Sequence, residues 1–299
     1  MSDMKTGVWQ MSLAMIISGS IGAFVMMSGL PVIDVVFWRC VIGGVALLVF
    51  MRLWKLTWIR FTRITLLLTA LGGIALVINW LLLFASYERI SMGMSTVVYN
   101  TQPFMLVLMS MLLGERVGLV KWGWLLLAFA GVVVLLASGV TMDEPEQLVP
   151  GIALALGAAF FYALTAIITR RLNGIPPRQI ALVQVLTGVV ILLPLANLSA
   201  VSFHYPWGWL LALGIVHTGV MYQLLYSAIQ KLPTPVIGSI SFLYPLVALL
   251  VDALVFGHTL SALQIAGGVL ILFAAAGNNL GWGTHKKAPL SQGQETKVN

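Results

Sequence analysis

Polar positions are sparse along this chain and fall in clusters. Between them lie ten apolar runs: Thr6–Ser28, Val32–Met51, Ile64–Ser86, Ser91–Leu113, Val120–Ser138, Pro150–Thr169, Pro177–Asn197, Trp207–Gln230, Thr234–Phe256 and Ser261–Gly281. A helix needs about 20 apolar residues to cross a bilayer. The pattern therefore predicts an all-α membrane protein with ten transmembrane helices. The connections are short, which makes neighbouring helices antiparallel. The last stretch, Thr284–Asn299, is polar and is expected to be a disordered cytoplasmic tail.

The runs repeat. Ser91 to Arg116 carries Tyr99, Asn100, Gln102 and Pro103 near its middle, and a similar stretch returns at Thr234 to His258. A shift of 142 lays Pro103 on Pro245, Ala70-Leu71-Gly72 on Ala212-Leu213-Gly214, and Leu82-Leu83 on Leu224-Leu225. A repeat of this length predicts two halves of one architecture, residues 6–138 and 150–281, with five helices each.

Charge sets the expected orientation. With a cytoplasmic N-terminus, fourteen of the 16 Lys and Arg residues fall in cytoplasmic segments. Only Arg39, within a helix, and Arg89, in an outer loop, do not. The acidic stretch Asp143-Glu144-Pro145-Glu146 falls outside. Both termini are then cytoplasmic. Because five is odd, the second half enters the membrane from the opposite side, so the repeats are inverted. Inverted repeats point to a transporter, with its substrate near the midplane between the halves.

Composition agrees and narrows the partners. The chain is 60% hydrophobic and 8% charged, with mean hydropathy +1.01. Soluble domains carry about 25% charged residues. Lipid must cover most of this surface, so the partners expected are the bilayer and a small-molecule substrate, in a monomer or homodimer. The formal charge of +7 reflects loop placement and does not indicate nucleic-acid binding. The single cysteine, Cys40, excludes an intrachain disulfide. The helices hold no HExxH, paired-aspartate or phosphate-loop motif, which argues against an enzyme, a metal site or a cofactor.

Certain motifs carry a family resemblance: Pro31 followed by Arg39; Pro103 with Leu113-Gly114-Glu115-Arg116; Gly219-Val220-Met221-Tyr222 with Pro245; and the Ser261–Leu272 stretch. In their order and spacing they resemble the drug/metabolite transporter superfamily, in its ten-helix EamA-type branch. The resemblance covers about residues 6–281. It implies export of amino acids, other small metabolites or toxic organic compounds across a bacterial inner membrane. The chain departs from the family in two places. His258 stands where a glutamate usually follows Gly257, and Ser18-Gly19-Ser20 stands where the first helix often has Trp-Gly.

Candidate functional residues follow from the cost of polar groups in hydrocarbon. Neutral polar and aromatic side chains cluster at one depth: Asn79 and Trp80 in the third run, Tyr99, Asn100 and Gln102 in the fourth, Tyr162 in the sixth, Tyr222 and Gln223 in the eighth, Ser241 and Tyr244 in the ninth. They are the candidate substrate-binding set. Ordinary interhelical hydrogen bonding is the alternative for any one of them. Arg39, Gln184, His217 and Asp252 are the candidate gating or coupling residues. Arg39 and Asp252 lie at similar depth and form a candidate ion pair; a clamp on backbone carbonyls is the other role open to Arg39. Gln184 falls on Arg39 when Pro176 is laid on Pro31, which suggests two opposite gates. For His217 a satisfied core histidine stands against a proton relay. Glu115 is expected to pair locally, with Arg116 or Lys121. The function expected is export of an amino acid or related amphipathic solute by alternating access. Efflux of organic cations, using Asp252 with aromatic residues, and a non-transporting receptor or scaffold are the alternatives.

Overall fold

Each of the ten apolar runs folds as helix in the computed structural model, which describes residues 2–53, 55, 58–90, 92–136, 145–198, 207–256 and 261–283. Among the described residues there is no strand. The first run forms α1 (Ser2–Gly19) and α2 (Ile21–Ser28), and the second and third form α3 (Val32–Leu53) and α4 (Arg63–Tyr87). The fourth divides into α5 (Met92–Tyr99) and α6 (Gln102–Leu112), and the fifth is α7 (Leu119–Leu136). The sixth and seventh are α8 (Pro145–Arg171) and α9 (Pro177–Leu192). The eighth runs through α10 (Trp207–Gly214), a π-helical segment (Ile215–Val220) and α11 (Met221–Lys231). The ninth divides into α12 (Thr234–Ser241) and α13 (Leu243–Phe256), and the tenth is α14 (Ala262–Leu280).

Five of these helical stretches are long and apolar enough to cross a membrane: Asp3–Ser28, Val32–Leu53, Arg63–Tyr87, Glu146–Arg171 and Trp207–Lys231. The other five are shorter apolar helices. Their outer faces are greasy: Leu112, Leu119 and Leu254 are 87, 88 and 85% exposed. Such a surface belongs in lipid, and the protein is a multi-pass membrane protein.

The two boundaries that differ most from expectation are both at proline. The seventh helix stops at Leu192, not Asn197, because Pro194 interrupts it and residues 193–196 form a turn. The sixth begins at Pro145 and runs through Pro150. The polar tail expected over residues 284–299 lies outside the described residues, as do Asp143, Glu144 and His258.

Proline also explains the paired breaks. Pro103 offers no N–H to the carbonyl of Tyr99, four residues before it, and Pro245 none to that of Ser241. The fourth stretch breaks after Tyr99 and the ninth after Ser241. These positions coincide under the shift of 142.

The helix contacts have the same symmetry. The first stretch packs on the eighth as the sixth packs on the third. The first meets the ninth as the sixth meets the fourth, and the second meets the eighth as the seventh meets the third. Second with seventh, fourth with ninth, and fifth with tenth pair across the two halves. Exchanging the halves leaves this pattern unchanged, so the halves interlock throughout.

Small residues allow the tight crossings. A Cβ at Gly214 would lie 2.4 Å from Ile42 Cβ, and one at Gly43 would lie 2.5 Å from Thr218 Cγ2. In the corresponding crossing, a Cβ at Gly73 would lie 2.9 Å from Gln184 Cα. Cys40 is wholly buried where α3 crosses α9, and a Cβ at Gly188 would lie 2.7 Å from its Sγ. Cys40 is therefore expected to resist maleimide in the folded protein and to react on denaturation. Labelling at equal rates in both states, followed by mass spectrometry, would contradict this packing.

Candidate functional site

The breaks and the interlocking helices converge on one cavity. Its polar lining is Ser18, Arg39, Asn79, Trp80, Tyr99, Gln102, Tyr162, Tyr222 and Tyr244, with an apolar wall that includes Met15, Leu83, Phe84, Met221 and Leu225. Both halves contribute. The space measures about 50 Å³. That admits a few waters and falls well short of the ~300 Å³ at which ligand pockets begin. As it stands, the cavity has no room for a drug-sized ligand.

Arg39 is the one charged residue among the described residues lining this cavity. Its side chain is wholly buried. Nε donates to Thr218 Oγ1 at 2.8 Å, and Nη2 donates to the carbonyl of His217 at 3.0 Å. The guanidinium carbon stands 4.1 Å from the centre of the Trp80 ring, close enough for a cation–π contact. Nη1 hydrogen-bonds to none of the described residues. Arg39 is thus partly a carbonyl clamp, and no carboxylate among the described residues pairs with it. The Asp252 side chain lies outside the described residues.

The clamp acts on an unusual piece of backbone. Residues Ile215–Val220 are π-helical, a form whose backbone hydrogen bonds span five residues, and the Thr218 side chain adds its own bond there, Oγ1 donating to the Leu213 carbonyl at 2.9 Å. His217 Nδ1 lies 3.1 Å from the Ala212 carbonyl, which can only accept. Nε2 lies 2.8 Å from Ser20 Oγ, whose single proton can go to this ring nitrogen or to the Ile17 carbonyl at 3.0 Å. His217 is buried, 3% exposed, with a partner at each ring nitrogen, and it ties the break between α1 and α2 to the eighth stretch.

Trp80 and Tyr222, equivalent under the shift of 142, touch each other. Trp80 Nε1 donates to Tyr222 Oη at 3.0 Å, and their rings pack edge to face with centres 5.5 Å apart. Asn79 Nδ2 donates to the Ala158 carbonyl at 2.7 Å and to Tyr99 Oη at 3.3 Å, joining α4, α5 and α8. Tyr99 packs against Tyr162 and Tyr244, with ring centres 6.2 and 6.3 Å away.

Seven of the ten candidate substrate residues line the cavity: Asn79, Trp80, Tyr99, Gln102, Tyr162, Tyr222 and Tyr244. Three do not. Asn100 is buried at the break after α5, where Nδ2 donates to the Thr96 carbonyl at 2.7 Å. Ser241 turns back onto its own helix, donating to the Ile237 carbonyl at 2.9 Å. Gln223 is half-buried, one residue on from Tyr222 and so about 100° around the helix. Among the gating candidates Gln184 is buried away from the cavity, between Gly72 and Gly73 of α4 and the Tyr226 hydroxyl, which donates to its Oε1.

Thr218 and Tyr226 escaped the sequence reading. Tyr226 lies one helical turn beyond Tyr222, a spacing that would have found it. Thr218 is placed by the π-helical segment, which leaves no periodic signal. Glu115 corrects an expectation. Gly114, at φ 96°, turns the chain after α6, and Glu115 pairs with Arg170 of the other half at 2.7 Å. Thr234 Oγ1 donates to Glu115 Oε2 at 2.8 Å and accepts from Arg170 Nη1. A crevice of about 380 Å³ adjoins this latch, lined by Ser110, Leu113, Glu115, Ile167, Arg170 and Arg171.

Relatives agree with this architecture. A crystal structure of a protein 21% identical superposes with a TM-score of 0.80, over 92% of this chain and 98% of its own. The transporter YxxF of Bacillus subtilis is 28% identical over 276 residues, 91% of this chain and 89% of its own. The threonine/homoserine exporter RhtA of Salmonella typhimurium is 27% identical over 290 residues, 93% of this chain and 94% of its own. RhtA of Escherichia coli K12 is 26% identical over 247 residues. The EamA-like transporter family matches the chain twice, over residues 5–137 and 149–280, and the chain belongs to that family.

Proposed function

We propose that this transporter exports a small amphipathic metabolite of the amino-acid kind across the inner membrane by alternating access. The observation that carries this reading is the cavity itself. It is lined from both halves by amides, hydroxyls, aromatic faces and one embedded guanidinium, at the breaks of helices that lack regular hydrogen bonding. Broken helices at the meeting point of two repeats are where secondary transporters hold their solutes. The similarity to threonine/homoserine exporters supports the same substrate class.

In this reading all ten helical stretches span the bilayer, the halves are inverted, and both termini are cytoplasmic. The cavity enlarges when one half rocks against the other. Asn79, Trp80, Tyr99, Gln102, Tyr162, Tyr222 and Tyr244 contact the solute. Arg39 and His217 hold the π-helical segment against α2 and α3 during rocking. The latch of Glu115, Arg170 and Thr234 joins the halves at the arginine-rich end and closes the cytoplasmic mouth. An organic cation suits this cavity poorly, because Arg39 repels it.

The deciding experiment is reconstitution into liposomes with a panel of amino acids and cationic dyes, with and without an imposed pH gradient. Saturable amino-acid flux is expected. Flux of dyes alone would replace the substrate class, and no flux for any solute would favour a receptor or scaffold. Acceleration by the gradient would mark proton exchange; an unchanged rate would mark facilitated efflux.

The latch has its own expected result. Its two charged side chains are about one-third exposed, at 31 and 34%, so Glu115→Gln should change stability by less than about 1 kcal/mol. It should nevertheless raise, several-fold, the labelling of a cysteine placed at Gln102 by a reagent added from the cytoplasmic side, in a Cys40→Ala background. Increased labelling from the opposite side only would place the latch at the wrong mouth.

A further inference from the structure

Buried polar atoms in proteins are nearly always paired, so those left over beside a cavity describe what fills it. Three cavity-lining residues leave such atoms: Arg39 Nη1, Gln102 Oε1 and the Tyr162 hydroxyl. A hydroxyl can donate or accept and so answers to either kind of group, which leaves Arg39 and Gln102 as the two with a fixed demand. These two residues are almost wholly buried, at 0 and 3% exposure. Their demands are opposite. A guanidinium nitrogen only donates and carries positive charge, whereas an amide oxygen only accepts. The two also come from different helices, α3 and the first turn of α6. Arg39 is held in place by its other two nitrogens, through Thr218 and the His217 carbonyl, and by the Trp80 face. Its third nitrogen is free for a ligand without rearrangement of the side chain. Gln102 lies just past the break that Pro103 imposes.

An anion alone would satisfy Arg39 and leave the Gln102 oxygen unmet. A cation would satisfy Gln102 and face the Arg39 charge with no carboxylate among the described lining residues to offset it. A zwitterion answers both. We propose that Arg39 and Gln102 are the two ends of a zwitterion subsite: Arg39 Nη1 takes the carboxylate and Gln102 Oε1 takes the ammonium of a free amino acid. The solute's side chain then lies along the apolar wall of Met15, Leu83, Met221 and Leu225. This inference rests on the export reading and sharpens it. The site selects for a free carboxylate and a free amine together and is indifferent to much of the side chain.

The test is competition in proteoliposome counterflow. The labelled probe is L-threonine, or the best-exchanged member of an L-amino-acid panel if threonine is not exchanged. The competitors are the unlabelled amino acid, its methyl ester, which keeps only the ammonium, and its N-acetyl derivative, which keeps only the carboxylate. In the native protein the ester is expected to compete at least 100-fold more weakly than the amino acid, and the N-acetyl derivative at least tenfold more weakly. Arg39→Gln should bring the ester to within a few-fold of the amino acid while leaving the N-acetyl ratio in place. Gln102→Leu should do the reverse. Arg39→Lys, which retains the charge, should keep most of the ester discrimination.

A purely structural role would move both ratios together, and that result would overturn the proposal. So would an ester that competes with the native protein as well as the amino acid does. The native-protein ratios and Gln102→Leu remain decisive if Arg39→Gln does not fold. Exchange of amino acids without discrimination would remove the subsite and leave the export reading standing, whereas no exchange of any amino acid would remove both.

Discussion

Trp80→Ala is expected to weaken apparent substrate affinity by about 100-fold. Trp80 is 3% exposed and does two things at once. Its ring lies 4.1 Å below the Arg39 guanidinium, a desolvated cation–π contact of about 2 kcal/mol. Its Nε1 donates to Tyr222 Oη, a buried hydrogen bond of about 1 kcal/mol. Losing both removes about 3 kcal/mol of support from the cavity wall, and 1.4 kcal/mol corresponds to a factor of ten. Trp80→Phe keeps a ring and loses the donor, so about fivefold is expected. Tyr222→Phe strands the Trp80 N–H and should cost at least as much as Trp80→Phe. In the double variant the penalties should not add, because the second substitution removes the stranded group. Counterflow affinities for the four proteins measure this cycle. Additive losses would mean that the hydrogen bond across the two halves does not matter to the site.

Gly214→Val is expected to destabilise the fold by about 3 kcal/mol or more, enough to abolish purification of folded protein. A Cβ at Gly214 would stand 2.4 Å from both Cβ and Cγ2 of Ile42 and 3.0 Å from the backbone nitrogen of Gly43. Ile42→Ala cannot relieve this, since the Ile42 Cβ and the Gly43 backbone remain. The control is Gly123, where a Cβ meets nothing within 4 Å. Gly123→Val should change stability by no more than about 0.5 kcal/mol. Thermal melting in detergent, with monodispersity as a second readout, compares the three proteins. Rescue of Gly214→Val by Ile42→Ala would mean that α3 can shift at the crossing, and the rigid contact inferred there would be wrong.

Much of the architecture was legible before any coordinates. Pro103 and Pro245 marked the two breaks because a missing N–H is a local property of the chain. Depth along a run placed Asn79, Trp80, Tyr99, Gln102, Tyr162, Tyr222 and Tyr244 together, because polar groups in lipid must face protein. The same reasoning failed for Asn100 and Ser241, whose side chains bond to their own helix backbone. It also failed for Gln223, since depth says nothing about rotation around the axis.

Sequence by itself determined the ten apolar runs, the duplication and the membrane class, because these depend on composition and local spacing. Only the tertiary structure decided which faces meet. It joined Arg39 to the π-helical segment 178 and 179 residues away. It joined Ser20 to His217 and Glu115 to Arg170. The physical reason is that lipid tails are as apolar as leucine, so no hydrophobic stripe marks an interface. The pairings rest on close approach at glycines such as Gly43, Gly73 and Gly214 and on the satisfaction of buried polar atoms. Both are properties of two helices together and of neither alone.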